Sequence, residues 1–210
     1  MKQITFDNYR SFDDLYLILT SKEIGSPKIK EYTVKIEGSD GVLDYTEFFG
    51  GTHYENLTHK FEFSTTVQPA LEYFSRLKDL LHGKKVRIAL DDDPGFYYIG
   101  RLTISTLKNT NNIYKLSISC NCEPYKYKNN PTVVTKTISG SSDIILSNMR
   151  KRVVPTVTTS ASMTFEWGGY SVTHSAGTFQ IPEMELAEGN NTINVAGTGT
   201  VKFEYQEGGF

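Results

Sequence analysis

The sequence predicts a mainly β protein in two domains, with one helix in the first. Three observations carry this. Short runs alternate apolar and polar residues, as at 32–37 and 59–64, the period of a strand with one dry face. A single segment, near residues 69–82, has helical spacing instead. A polar, proline-bounded stretch at 123–131 separates a first half of mixed composition from a second half rich in Thr, Ser, Gly and Val. Such a stretch is the composition expected of a hinge, so the domains are set at 1–128 and 129–210. The chain has 210 residues, of which 38% are apolar and 12% aromatic. That suffices for a packed core and excludes global disorder.

The first elements read as half-buried antiparallel strands. Residues 15–20 form a short apolar run between Asp13-Asp14 and Gly25-Ser26-Pro27. Residues 32–37 alternate strictly and lead into Gly38-Ser39-Asp40-Gly41, a turn supplied with residues that tolerate positive φ. Residues 59–64 alternate again.

The helix near 69–82 opens with Pro69 in the first helical position, where a missing N–H is harmless. Leu71, Phe74, Leu77, Leu80 and Leu81 would share an apolar stripe. Gly83 suits the left-handed residue that ends a helix. A meander follows: a strand at 86–90, a turn through Asp91-Asp92-Asp93-Pro94-Gly95, a return at 96–104, a second turn at 109–112, and a strand at 113–118. In the second half, candidate strands lie at 132–138, 153–157, 163–167, 170–174, 177–181, 191–196 and 200–205. Strands separated by turns at this spacing predict a β-sandwich.

Charge and motifs exclude more than they propose. Lys plus Arg total 22 and Asp plus Glu 24, for a net charge of −2, and neither half is a polycation. A protein holding nucleic acid through its phosphates is expected to be clearly basic. The cluster Arg150-Lys151-Arg152 reads as a solvated strand start. The longest apolar run, 15–19, is too short to cross a bilayer, and the first residues lack the apolar core of a signal peptide. The expectation is a soluble protein made in the cytoplasm with no membrane anchor. Cys120 and Cys122 fall on one face of a strand, where a ring between them would be strained, so they read as two semi-buried thiols. His53, His59, His82 and His174 are scattered and read as surface or boundary residues. Asp91-Asp92-Asp93 lacks the alternating ligands of a calcium loop and reads as a solvated turn. Gly197-Thr198-Gly199-Thr200 has no lysine or helix start behind it and reads as a tight turn. Glu183, Glu185 and Glu188 have no distant acid to pair with. Trp167 and Tyr170 flank Gly168-Gly169; they could stack on a sugar ring or form core and hairpin. No catalytic residue, cofactor site or metal site is expected. The chain is read as a builder or a binder rather than an enzyme.

Several segments together resemble the distal tail (Dit) proteins of siphophages and prophages. They are Phe12 to Leu17 with Thr20 to Ile24, then Lys35 to Glu47, where Glu37 stands in place of that family's usual proline. Leu80 to Lys84, Asp91 to Pro94 and Tyr97 to Arg101 match its helix end and following hairpin. Residues 186–195 and 199–205 resemble its last strands. The resemblance implies an N-terminal β-barrel-like domain with a helix and a C-terminal galectin-like β-sandwich. It also implies a structural virion protein located in the phage tail and assembled in the host cytoplasm. Six copies would form a hexameric ring joining the tail tube to the baseplate or tail-tip host-adhesion apparatus. DNA would pass through the lumen without specific binding. This chain has no room for the large carbohydrate-binding insertions of some relatives. A closed ring needs head-to-tail contacts, and Gly38, Asp40, Gly41 and Asp44 fall in a turn that is either structural alone or also touches a neighbouring subunit. The alternative is a carbohydrate-binding module in host recognition, with Trp167 and Tyr170 as the glycan contact.

Overall fold

Alternation of side chains builds the first core. The computed structural model describes residues 2–48 and 50–210, and the chain divides into two units, Met1–Lys126 and Tyr127–Phe210. It is mainly β, with one helix among the described residues; that helix is too short to cross a membrane.

The first unit contains β1 (Ile4–Phe6), β2 (Tyr9–Arg10), β3 (Ile18–Glu23), β4 (Thr33–Val34), β5 (Leu43–Asp44) and β6 (Leu57–Thr65). After α1 (Ala70–Leu81) come β7 (Lys85–Leu90), β8 (Phe96–Ile104), β9 (Lys108–Thr110) and β10 (Ile113–Cys122). The main sheet runs β2-β1-β7-β8-β10-β6-β3, so the expected meander is present as β7-β8-β10. In β6 every second residue faces inward: Leu57, His59, Phe61, Phe63 and Thr65 are buried. Phe6 on β1 meets both Phe61 and Phe63 edge-on, with ring centroids 6.4 Å apart in each pair. Three strands separate β1 from β6 in the sheet, so the sheet curls until its two ends share one core, as a barrel does.

Two N-terminal expectations are corrected. Leu15 and Leu17 are buried as the apolar run implies, but the strand starts only at Ile18. Tyr16 has φ +51°, which breaks extended structure before it. The alternating run 32–37 forms a strand only at Thr33–Val34, and both its faces are exposed. Alternation makes a strand amphipathic, but only a covering layer makes one face dry, and none of the described residues of this unit covers it.

The helix forms as expected, with two differences. Pro69 is the cap before the first helical residue, extended at φ −71°, ψ 128°. The inward residues are Ala70, Phe74, Leu77 and Leu81, spaced i, i+4, i+7, i+11; Leu71 lies one helical step (roughly 100°) from Ala70 and is 77% exposed. Gly83 takes φ +76° just past the helix and donates its N–H to the Leu102 carbonyl at 2.8 Å, tying the helix end to β8. Leu77→Ala is expected to cost about 2–5 kcal/mol in urea unfolding, whereas Leu71→Ser stays within about 0.5 kcal/mol. Equal costs would contradict this assignment of faces.

Cys120 and Cys122 are free and fully buried rather than half-buried. Burial pushes both thiols up, Cys122 to about 12, so neither is a nucleophile at neutral pH. Gly100 lies opposite Cys122, and a Cβ there would come within 2.5 Å of its Sγ.

β11 (Lys126–Lys128) straddles the division. The second unit then contains β12 (Thr132–Asn148), β13 (Thr156–Thr159), β14 (Met163–Trp167), β15 (Tyr170–His174), β16 (Gly177–Gln180), β17 (Gly189–Tyr205) and β18 (Gly208–Gly209). Strands 163–167 and 170–174 fall where alternation places them. Three other expectations are corrected. The strand at 132–138 continues to Asn148. The strand at 153–157 starts at Thr156, Val153 making only a bridge to Leu186. The strands at 191–196 and 200–205 are one strand, so Gly197-Thr198-Gly199-Thr200 is not a turn.

β17 explains the last correction. β12 pairs with it along its whole length. Its other edge is shared in succession by β14, up to Gly197, and β13, from Val201. Ile193 and Val195 from one half and Val201 and Phe203 from the other enter the same core, so the ribbon folds over at the glycines. Gly197 and Gly199 have φ +149° and +147°. A Cβ on Gly197 would lie 3.0 Å from Met163 Cγ, and one on Gly199 would lie 2.6 Å from Ser160 Oγ. Glycine is needed here for its φ and for the close approach of 160–163, not for a chain reversal.

Candidate interaction surface

Residues 24–48 and 50–56, between β3 and β6, form a two-limbed arm with little regular structure. At its base the Gly25 N–H donates to His59 Nδ1 at 3.1 Å, and a Cβ on Gly25 would come within 2.3 Å of the Thr58 carbonyl oxygen. Further out the limbs are joined by the Lys30 N–H to the His53 carbonyl at 2.9 Å and the Glu55 N–H to the Lys28 carbonyl at 2.8 Å. The β4–β5 pair closes the distal part.

The structure brings Gly38, Asp40, Gly41 and Asp44 together there. Gly38 and Gly41 take φ +81° and +77° with open space around them, so they serve the reversal expected of them. Asp44 accepts the Thr46 N–H at 2.8 Å. Hydrogen bonds from the Thr46 hydroxyl and amide hold its carboxyl below the usual value of 3.8. The Thr46 hydroxyl oxygen accepts the Tyr32 N–H at 3.2 Å, and the Tyr32 carbonyl accepts the Tyr45 N–H at 2.7 Å. Asp44 thus holds the hairpin together. All four residues are exposed.

The arm is apolar as well as exposed. Val34, Ile36, Val42, Leu43 and Tyr45 are each between 43% and 51% exposed, and Phe48 is 75% exposed. Scattered surface apolar residues need no explanation, but this concentration on one thin element is the usual mark of a contact surface.

Trp167 and Tyr170 stack, with centroids 5.8 Å apart and planes 25° apart. The indole N–H donates to the Glu183 carbonyl at 3.1 Å, and Trp167 packs on the second core. Tyr170 is 59% exposed. The pair therefore combines an anchored indole with an open phenol ring.

Charged clusters find partners inside their own units. Asp91 accepts the Gln3 N–H at 3.0 Å and lies 3.6 Å from Arg10; Asp92 pairs with Lys22 and, at 3.7 Å, with Lys2; Asp93 pairs with Lys126 at 2.8 Å. The Lys22 ammonium, chiefly by hydrogen bonding, holds the Asp92 carboxyl below its ordinary value. The turn expected from sequence is present, with Asp91 and Asp92 exposed, and it is ion-paired as well, which its sequence does not announce. Arg152 pairs with Glu185 at 3.0 Å, Arg150 with Glu188 at 3.9 Å, and Lys151 donates to the Tyr127 hydroxyl at 3.1 Å. Among the described residues no group of His, Cys, Asp and Glu is placed to hold a metal ion. His59 departs from the surface reading: it is fully buried, and burial lowers it to about 4.

Two features escape the sequence reading. One is a groove of about 470 Å³ beside the start of α1, lined by Pro69, Leu71, Leu107 and Tyr114. Its residues come from separate elements, so no local pattern announces it. The other is a cross-strand pair of cations: Lys108 and Lys115 face each other across β9 and β10. Sequence contains that signal. Asn111 and Asn112 both take positive φ, +51° and +61°, as a two-residue hairpin turn requires, and counting three outward from each reaches the two lysines.

No described protein family matches the chain, and no curated protein does. Among solved structures it is similar to the crystal structure of SPP1 Dit (gp 19.1), described as a paradigm of the hub adsorption apparatus in phages infecting Gram-positive bacteria. The identity is 17% and the TM-score 0.70, and the match covers 98% of this chain and 99% of that one.

Proposed function

We propose that this chain, which has the fold of Dit along nearly its whole length, is a structural protein of a phage tail, the distal hub. In this reading residues 1–128 form a closed hexameric ring. Residues 129–210 form an outer, galectin-like domain. The ring joins the tail tube to the host-adhesion apparatus, is built in the host cytoplasm, and lets DNA pass without specific binding; the chain turns over no substrate. The observation that carries the reading is the match across both units at once. The near-neutral charge agrees with a lumen through which a polyanion slides.

The mass of the purified protein, by light scattering after size exclusion with negative-stain images, tests it. The expected result is ring-shaped particles of six chains, or twelve where two rings stack. A monomer at every concentration, with neighbouring tail proteins added, would overturn it.

A second reading, carbohydrate binding in host recognition, is favoured by the open ring of Tyr170 stacked on Trp167. It predicts signals on a glycan array that Tyr170→Ala abolishes. Signals indifferent to that substitution, or none, remove it.

A further inference from the structure

We propose that the arm of one copy docks on the β9–β10 end of the next copy's first unit, making the head-to-tail contact of the assembly. The inference rests on the ring reading above and names the two surfaces that would make it.

Position comes first. The arm springs from the Leu57 end of β6, where Leu57 pairs with Cys122. The groove and the lysine pair lie at the other end, where Thr65 pairs with Tyr114 and Ser64 with Lys115. Nine residues of strand separate the two ends, roughly 30 Å. Two different surfaces at opposite ends of one strand are what a heterologous contact uses, and copies joined that way form a ring if the rotation closes.

Charge selects the partner. Residues 36–48 carry Glu37, Asp40, Asp44 and Glu47 and no Lys or Arg. Asp44 is held by Thr46, but Glu37, Asp40 and Glu47 have no ion pair among the described residues. At the other end, Lys108 and Lys115 are exposed and directly opposed. Like charges so placed destabilise a sheet, and neither lysine has an ion pair among the described residues. The remaining charges at that end are already satisfied: Glu62 lies 3.8 Å from Lys60, Glu72 pairs with Arg76, and Lys78 sits over the Phe74 ring. The acidic arm thus meets the one unbalanced cation pair of that end, on the outer face of the hairpin. Apolar surface agrees: Phe48 and Leu71 are the two most exposed large apolar residues described, at 75% and 77%. The arm has limbs enough to straddle the hairpin, with apolar side chains toward the Leu71 groove and carboxylates toward the lysines.

Charge reversal on the full chain tests this. One variant carries Glu37→Lys, Asp40→Lys and Glu47→Lys, sparing Asp44; the other carries Lys108→Glu and Lys115→Glu. Unchanged circular dichroism and unchanged hydrogen-exchange protection at β6 and β10 amides, which lie in the altered unit, establish that each is folded. Light scattering is expected to show each variant alone falling from the assembled mass to one chain, because its own arm and hairpin now repel. Mixed one to one, they are expected to regain the wild-type mass as alternating copies. Variants that assemble like wild type overturn this contact while leaving the ring reading intact. Variants that dissociate but do not recover on mixing overturn the pairing of arm with hairpin. A wild type that never assembles, even with tail partners, overturns both.

Discussion

Gly197→Val is expected to destabilise the second unit by about 2–6 kcal/mol. Two costs add: holding a β-branched residue at φ +149°, about 1–3 kcal/mol, and driving new atoms into a packed contact, about 1–3 kcal/mol. The contact is tight already, with Met163 Cγ and the Ser162 carbonyl oxygen 3.0 and 3.1 Å from where a Cβ would sit. The chain has a single tryptophan, Trp167 in β14, so its fluorescence in a urea titration reports this unit. Gly140→Ala is the control. Gly140 takes φ +95° with nothing within 4 Å of an added Cβ, so it bears the backbone cost without the steric one and should shift the midpoint less. A Gly197→Val midpoint equal to wild type would show that β17 does not need glycine where it folds over.

Acid is expected to weaken the first unit across a defined window through His59. The imidazole is fully buried and its Nδ1 accepts the Gly25 N–H. A proton there would set a second donor against that N–H. Burial lowers the group from 6.5 to about 4. Between these values the unfolded chain binds the proton and the folded chain does not. Stability is therefore whole above pH 6.5, falls as pH drops through the window, and is reduced by about 3 kcal/mol below pH 4. Hydrogen exchange at β6 and β10 amides, at pH 7 and pH 4.5 with intrinsic rates corrected, reads this loss. His59→Gln keeps an acceptor for Gly25 and cannot titrate there, so its pH dependence should be flatter. An unchanged pH dependence in His59→Gln would assign the effect to other groups. Asp92, whose carboxyl lies below its ordinary value, loses its pair with Lys22 only at lower pH, so the two effects separate.

Legibility in the sequence followed the range of the interactions. The helix, the β7-β8-β10 meander and the 163–174 hairpin were readable because each is set by neighbours in sequence: helical spacing, alternation, a turn of Gly or Asp between strands. The arm was misread for the same reason. Residues 32–37 have the alternation of a half-buried strand, yet among the described residues of their unit no layer covers the apolar face. Gly197 and Gly199 were misread as a turn because the strand segments that crowd them arrive from residues 160–163. The candidate site was half legible: Gly38, Asp40, Gly41 and Asp44 stood out as a turn, while its proposed counterpart around Leu71, Leu107 and Lys115 did not.

Local patterning and composition by themselves determined that this protein is mainly β, where the one helix among the described residues lies, and that the net charge is close to zero. The likeness of scattered segments to the Dit family already pointed to the fold that the structure shares with SPP1 Dit. Tertiary structure alone decided which apolar residues are core and which are surface. Burial depends on what another part of the chain brings to the other side, and no window of sequence contains that. It made His59 an interior group, turned Leu71 outward, paired the three aspartates of 91–93 with lysines and an arginine from distant elements, and left the arm's apolar face uncovered.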